Sequence, residues 1–385
     1  MAKSSVVTKP RDILGNSALR PDGAHKVQGS FEFTSDLHAE NMLWGATLRS
    51  PHPYAKIMSI DTSAALALPG VHCVITADDV PGKSTYGLIS SDQPVFASDY
   101  VRYMGEPVAA VAADHPETCR RALALIVVVY EVLAPLTNPE DAIAGSFDPI
   151  HPDGNVIRHQ RIIRGDQNIS GPIVVEGEYV IGMQDQAFLG LEAALAIPDP
   201  DGLGLHLHVA TQWLHEDLTQ ISACLSLPAE KIRLTLGGVG GAFGAREDIS
   251  LQVHCCLLAL KAGRPIKMQY SREESFFGHV HRHPATIFMR HHADANGKIV
   301  KIDARFVFDG GAYTSTSPAV LINGITHTQG PYKCDNATVD GYAVRTNNPP
   351  CGAMRGFGVV QACFAHESQM DKIAVAVGKS PVEIR

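Results

Sequence analysis

The sequence predicts an α+β protein of two domains, and three observations carry the prediction. Short runs rich in β-branched residues are mixed with two or three helix-like segments. A chain of 385 residues exceeds one ordinary hydrophobic core, so it divides. A glycine-rich stretch, Leu236-Gly-Gly-Val-Gly-Gly-Ala-Phe-Gly-Ala-Arg-Glu-Asp248, stands between a β-type run and a helix-like run. The rest of the chain is organised around it.

Residues 1–17 read as a polar arm. From Arg20 the pattern is β-rich, with strands predicted over Gly29–Thr34, Met42–Leu48 and Ala55–Ile60. Asp61 stands as an N-cap ahead of an alanine-rich segment ended by Pro69-Gly70, which predicts a helix. Val71–Ile75 reads as a short strand, Thr76–Pro81 as a short helix or turn, and Gly82–Tyr100 as a long polar loop. Pro107–Ala113 is a strand. Pro116–Ala124 has proline near its start and Arg120 and Arg121 further along, the order a helix favours. The β-branched density of Leu125–Val132 predicts a fully buried strand. Pro, Gly and Asp accumulate between Pro139 and Pro152, and the first domain, 18–145, ends there.

In the second domain, 146–385, Pro172–Val180 alternates as a strand. Leu191–Ile197 and Leu203–Val209 predict a hairpin across Pro198–Gly202. Leu214–Leu225 reads as a helix entered through Thr211-Gln-Trp and stopped by Pro228. Lys231–Leu236 leads into the glycine loop and Ile249–Leu260 leads out of it. Strands over Ile266–Tyr270, Ala285–His291 and Ile299–Phe308 precede a turn at Asp309–Tyr313. A long irregular region then reaches a second glycine loop, Cys351-Gly-Ala-Met-Arg-Gly-Phe-Gly358, and a helix over 361–377 closes the domain.

A formal charge of −8 argues against nucleic acid as a partner. No apolar run reaches the ~20 residues a membrane span requires, and Met1–Pro10 lacks the apolar core of a secretory signal. Eight cysteines lie scattered with no Cys-x-x-Cys pair. That pattern fits buried thiols in a reducing cytoplasm and argues against an iron–sulfur cluster or zinc ribbon within this chain.

Five glycines between Gly237 and Gly244 permit positive φ and let main-chain N–H groups approach a ligand closely. Strand, loop and helix N-terminus together suit an anion or the polar edge of a cofactor. A dinucleotide fingerprint starting at Gly238 needs glycine where Phe243 stands, and a P-loop needs Lys and Ser/Thr where Ala245 and Arg246 follow Gly244. A surface turn is the plain alternative, although an aromatic among glycines is unlike a Ser-rich linker. Glu247 and Asp248 are placed at the start of the next helix, as dipole partners or, for one of them, as an acceptor for a substrate. In the second loop Arg355 offers a fork of donors to an anionic or oxo ligand, and Phe357 offers a flat face to a ring. His279, His281 and His283 share one face of an extended run, but no acidic or thiol ligand is near in sequence and Pro284 bends it, so polar packing is expected there. Two such loops imply one shared site for a polar cofactor and an aromatic substrate.

Together, Gly240-Gly-Ala-Phe-Gly-Ala-Arg-Glu247 and Ala353-Met-Arg-Gly-Phe-Gly358 resemble the two molybdenum-site loops of the xanthine dehydrogenase (molybdenum hydroxylase) family. Supporting likenesses include Ser50-Pro-His-Pro-Tyr-Ala55, Gly105-Glu-Pro-Val-Ala-Ala-Val111, Thr211-Gln212, Arg282-His-Pro284 and Gly310-Gly-Ala-Tyr313. The resemblance covers about residues 20–385. It implies an α/β-hammerhead domain over 18–145 and a first molybdopterin-binding domain over 146–385. It also implies that Gln212 hydrogen-bonds the apical oxo ligand of molybdenum, and that Gly241, Ala242, Phe243, Gly244 and Arg355 line the cofactor. Gln212 and Arg355 then stand closest to the chemistry, with no side chain ligating the metal. Glu247 bonds a heterocyclic substrate and Phe357 stacks on it. Where xanthine-oxidising members carry an arginine, Leu321-Ile-Asn-Gly324 offers Asn323, either as a substrate contact or as a plain loop residue, so other heteroaromatics fit as well as purines.

The implied cofactor is molybdopterin, in its cytosine dinucleotide form, carrying molybdenum. The implied reaction hydroxylates a C–H beside a ring nitrogen of xanthine, hypoxanthine or nicotinate, with water as oxygen source. The family's second molybdopterin-binding domain, which carries the general-base glutamate, has no counterpart before Arg385. A second molybdopterin-binding subunit is therefore expected as partner, with 2Fe-2S and FAD subunits, as in nicotinate dehydrogenases whose molybdenum subunit is divided. A truncated chain, or a non-catalytic half-subunit that only binds a partner, is the alternative.

Overall fold

The computed structural model describes residue 15 and residues 17–385, so the arm expected over 1–17 lies almost wholly outside the described residues. The first part of the chain runs α1 (Gly23–Gln28), β1 (Leu43–Arg49), β2 (Ala55–Asp61), α2 (Ser63–Leu66), β3 (Val71–Ile75), β4 (Thr85–Tyr86), β5 (Gln93–Pro94), β6 (Tyr100–Val101), β7 (Pro107–Ala113), α3 (Pro116–Leu123), β8 (Val127–Val132) and α4 (Pro139–Ala144). The second part opens with β9 (Val156–Arg164), β10 (Ile173–Ile181), β11 (Ala193–Pro198), β12 (Leu205–Val209), α5 (Leu214–Leu225), β13 (Ile232–Leu236), α6 (Gln252–Ala262) and β14 (Ile266–Gln269). It closes with α7 (Arg272–Gly278), β15 (Ala285–Ala293), β16 (Ile299–Asp309), α8 (Ser317–Thr326), β17 (Ala337–Val344), α9 (Val359–Ala376) and α10 (Pro381–Ile384).

Seven strands from both parts merge into one sheet, in the order β13-β12-β11-β14-β1-β7-β3. The join is the parallel pair β1–β14, with Leu43 opposite Ile266. All seven residues of β7 are buried. Its alanines explain how: Ala110 and Ala112 pack toward α6, Ala109 and Ala113 toward α3, and small side chains let both helices approach a doubly covered strand. A second sheet, β10-β15-β16-β17-β9, packs one face on α8 and α9. Strict alternation of buried and half-buried residues along β15 shows the one-sided burial. The third sheet is β6-β2-β8.

Several expectations are corrected. Gly29–Thr34 is not a strand; only Phe33 bridges, to Gly238 of the glycine loop. β8 is not fully buried: it is the edge of the third sheet, and Val127, Val129 and Val132 are 57%, 50% and 59% exposed. Its valines report strand propensity and not double-sided burial. The region expected to be irregular holds α8 and β17, and β9 and α7 lie where no element was predicted. The helix after the glycine loop starts only at Gln252. Glu247 and Asp248 therefore sit in turns ahead of it and are not first-turn dipole partners. The loop that leads straight into a helix is the second one, where Gly358 caps α9.

Candidate cofactor and substrate site

The two glycine loops meet. The Arg355 N–H donates to the Phe243 carbonyl at 2.8 Å. A Cβ on Gly244 would stand 2.5 Å from the Ala353 carbonyl oxygen, so this approach requires glycine. Phe243 and Phe357 take left-handed φ values of +53° and +47°, and each precedes a glycine at positive φ, Gly244 at +107° and Gly358 at +93°. Such a conformation costs a bulky residue ~1–3 kcal/mol and persists only where the surroundings impose it. The two phenylalanines thus share a backbone conformation, although Phe243 is half exposed and Phe357 packs against the core of the second sheet.

Gln212 closes the arrangement. It follows β12 and precedes α5, and its main-chain N–H donates to the Arg246 carbonyl at 2.9 Å. Its Oε1 accepts from the N–H groups of Gly244 at 3.0 Å and Arg246 at 3.4 Å, while its Nε2 donates to Glu247 Oε1 at 3.4 Å. The amide oxygen is thus committed to the loop, and the NH₂ keeps a donor for a ligand. Burial pushes the Glu247 carboxyl above its usual range. Next to it, Asp248 is buried, accepts from Ser315 Oγ at 2.8 Å and is pushed up to about 7 by burial.

A cavity of about 650 Å³ opens between Phe243, Glu247, Arg355 and Phe357, with Leu88 and Trp213 among its apolar walls. Another, of about 630 Å³, lies across the Phe243–Arg355 ridge beside Gln186 and Arg282. Here the donor set suits a polar cofactor. Gln186 Nε2 donates to the Ala353 carbonyl at 2.9 Å and Arg282 Nη2 to the Arg355 carbonyl at 2.9 Å. Gln186 Oε1 and Arg282 Nη1 are buried without partners, an acceptor and a donor that a pterin edge would satisfy.

Of the residues singled out from sequence, Gln212, Gly241, Ala242, Phe243, Gly244, Glu247, Arg355 and Phe357 come together on these two loops and the strand end beside them. Asn323 does not line the cavity. From α8 its Nδ2 donates to the Phe357 carbonyl at 2.6 Å, so it holds the loop. The three histidines part company: His279 and His281 face Asp185 Oδ2 at 3.1 and 3.4 Å, whereas His283 Nε2 pairs with Ser317 Oγ at 2.8 Å. Among the described residues no group of three or more His, Cys, Asp or Glu side chains has metal-holding geometry.

Sequence reasoning missed Arg246, Gln186 and Arg282. Arg246 is buried, donates to the carbonyls of Gly241 at 3.0 Å, Ala210 at 3.1 Å and Gly190, and lies 4.4 Å over the Phe188 ring. An arginine directly after a glycine loop, where carbonyls are plentiful, was the one available signal. Residues 182–190 have no periodicity that would have exposed Gln186, and Arg282 stood only within the Arg282-His-Pro284 likeness, with no role attached.

Residues 150–385 match the family model described as the molybdopterin cofactor-binding domain, and residues 28–134 match the aldehyde oxidase and xanthine dehydrogenase a/b hammerhead domain. The chain belongs to the xanthine dehydrogenase family of molybdopterin-binding proteins. Within this family it is 37% identical to a probable xanthine dehydrogenase subunit of Bacillus subtilis, over 99% of this chain and 50% of that protein. It is 36% identical to the nicotinate dehydrogenase large molybdopterin subunit of Eubacterium barkeri, over 98% of this chain and 89% of that one. Quinoline 2-oxidoreductase from Pseudomonas putida 86 superposes with a TM-score of 0.90 at 30% identity, over 96% of this chain and 49% of that chain. The chain thus spans about half the length of two of these and most of the third. The α+β class, with a hammerhead domain followed by a molybdopterin-binding domain, stands.

Proposed function

We propose that this chain is the molybdopterin-holding part of a molybdenum hydroxylase that oxidises a C–H beside nitrogen in a heteroaromatic ring, with water as oxygen source. The observation that carries the reading is the clasp of two Phe-Gly loops, with Gln212 folded onto one of them and Glu247 beside an apolar cavity. In this reading Gln212 and Arg355 stand at the cofactor, and the backbone of Gly241, Ala242, Phe243 and Gly244 lines it. Glu247 accepts a hydrogen bond from the ring and Phe357 stacks on it. Asn323 acts through the Phe357 carbonyl, as a positioning residue without substrate contact. The cofactor, a molybdopterin in cytosine dinucleotide form, would supply Lewis-acid and electron-acceptor chemistry, held by the Gln186 and Arg282 side and the loop amides.

The cavity favours a neutral ring that presents an N–H, such as hypoxanthine or xanthine, because Glu247 is the one carboxylate among its lining residues. Nicotinate, the alternative, would set its carboxylate near Glu247 and depend on Arg355. The relation to a large molybdopterin subunit supports a divided enzyme. A second molybdopterin-binding subunit would then bring the general-base glutamate, and separate subunits would bring 2Fe-2S and FAD. The eight free cysteines, seven of them buried, support a cytoplasmic setting. The two family matches, leaving 135–149 between them, support the division at about 145.

The test is the metal content of the complex that co-purifies with this chain, followed by turnover of hypoxanthine, xanthine and nicotinate. Near-stoichiometric molybdenum with turnover of one ring supports the reading. A metal-free chain with no turnover leaves a half-subunit that only binds a partner.

A further inference from the structure

Residues 184–190 run beneath both glycine loops and touch each of them. Toward the second loop, Gln186 Nε2 donates to the Ala353 carbonyl, and Gln184 is bridged to Arg282, whose guanidinium reaches the Arg355 carbonyl. Toward the first, the Gly190 N–H donates to the Gly240 carbonyl at 3.0 Å, and the Phe188 ring carries the Arg246 guanidinium. The Gly190 and Gly240 backbones approach so closely that a Cβ on Gly190 would stand 2.7 Å from Gly240 Cα. Between these two sets of contacts the chain makes a left-handed turn at Ala187, φ +46°. That turn is held by one side chain. Asp185 Oδ1 accepts the Ala187 N–H at 2.6 Å.

The other oxygen of Asp185 faces two imidazoles, His279 Nε2 at 3.1 Å and His281 Nε2 at 3.4 Å. His279 Nδ1 is engaged with the Val280 carbonyl at 2.8 Å. His281 has its ring nitrogens against the Pro350 and Phe276 carbonyls at 3.3 and 3.0 Å. The His279–Asp185 contact is an ion pair bent off the hydrogen-bond line, since neither atom has a hydrogen-bond partner. A second buried carboxylate, Glu192, lies 3.7 Å from His279 Nε2, and both its oxygens also lack partners.

We propose that Asp185, clamped by His279 and His281, is a positioning residue that sets the placement of both glycine loops through the 184–190 buttress. The proposal takes from the functional reading only that these loops form the site. Its physical basis is that one carboxylate joins two things: the turn at Ala187, on which Gln186 and Phe188 hang in opposite directions, and the His279–Arg282 segment, which anchors the second loop. Loosening it releases both loops at once.

The clamp has a pH response. Burial alone disfavours a charged His279, but Asp185 and Glu192 outweigh it and raise its pKa above the usual value. The groups facing this histidine are Asp185, Glu192 and His281, with the Phe188 ring at 5.2 Å. Arg246, Tyr270 and Glu274 stand beyond Glu192. With the folded value raised, the clamp is complete at low pH and is lost as pH rises through that value.

The test is hydrogen–deuterium exchange on the full chain, in whatever complex it purifies in. It compares peptides spanning 237–248 and 351–358 with peptides from β16 and α9. In Asp185→Asn, exchange in both loop peptides rises together by about tenfold while β16 and α9 stay unchanged, and Asp185→Glu restores most of the protection. In the unsubstituted chain, exchange of both loops, corrected for its intrinsic rate, quickens as pH rises through the raised His279 value, above the usual imidazole range, and His279→Gln loses that response. A response in one loop only, in neither, or without pH dependence in the unsubstituted chain overturns the proposal. If Asp185→Asn does not fold, the pH series decides. Exchange is read without metal content or turnover, so failure of the clamp and failure of the molybdenum reading are separate results.

Discussion

At the scale of single residues, the site depends on side chains whose groups are partly committed to the fold. Gln212 gives its carboxamide oxygen to two loop amides and keeps a donor on nitrogen. Replacing it by alanine removes that donor and the support of Gly244 together. In the assembled complex, Gln212→Ala is expected to lower turnover by about a hundredfold, the magnitude typical of a lost oriented donor, without loss of assembly on size-exclusion chromatography. An unchanged rate would remove Gln212 from the site. Gln212 was legible in sequence through its place beside Thr211 and the likeness of the loops. The role of Asn323 was not, because only the packing of α8 against the second loop aims its amide at a backbone carbonyl.

At the scale of elements, two loops 110 residues apart are held edge to edge by one backbone hydrogen bond and a contact that excludes a side chain. Gly244→Ala would place a methyl 2.5 Å from the Ala353 carbonyl oxygen, at a φ of +107°. The expected result is a destabilisation of about 1–3 kcal/mol, seen as a Tm lower by several degrees. Gly263→Ala serves as comparison: it adds φ strain at +62° but meets no atom within 4 Å. Equal losses in the two variants would show that loop-to-loop contact adds nothing. The conformations of Phe243 and Phe357 belong to this scale as well. Glycines around an aromatic signalled an unusual backbone, but which residues took positive φ was set by the neighbouring loop.

At the scale of the whole molecule, the seven-stranded sheet crosses the boundary read from composition, through β1 and β14. The parallel β1–β14 pairing and a core shared by Leu43, Ile266 and Met268 couple the two parts. Calorimetry is therefore expected to show one cooperative transition; two well-separated transitions would contradict the coupling. Stability should also depend on pH. Burial pushes Glu106 up to about 7, against the pull of its Tyr313 and Arg102 contacts, and Asp248 likewise to about 7. Both folded values exceed the unfolded ones, so their contribution is present in acid and lost as pH rises through about 7. From pH 5 to pH 8 the Tm of the unsubstituted chain is expected to fall relative to that of Asp248→Asn, while His151, His254, His283 and His291, whose pKa values burial holds low, pull both chains the other way in acid. A steeper fall in that variant would refute the assignment.

By itself, the sequence determined what local chemistry can encode. Glycine, proline and β-branched residues placed β1, β3, β7, the β11–β12 hairpin, α3, α5 and α9, and the two aromatic-glycine loops identified the family and most of the residues that meet in the candidate site. Tertiary structure decided what depends on neighbours distant in the chain. It exposed one face of β8, built α8 and β17 in a stretch without clear periodicity, joined the two parts through β1 and β14, and ran 184–190 under both loops. Burial and pairing are properties of what lies across the fold, and no window along the chain contains them.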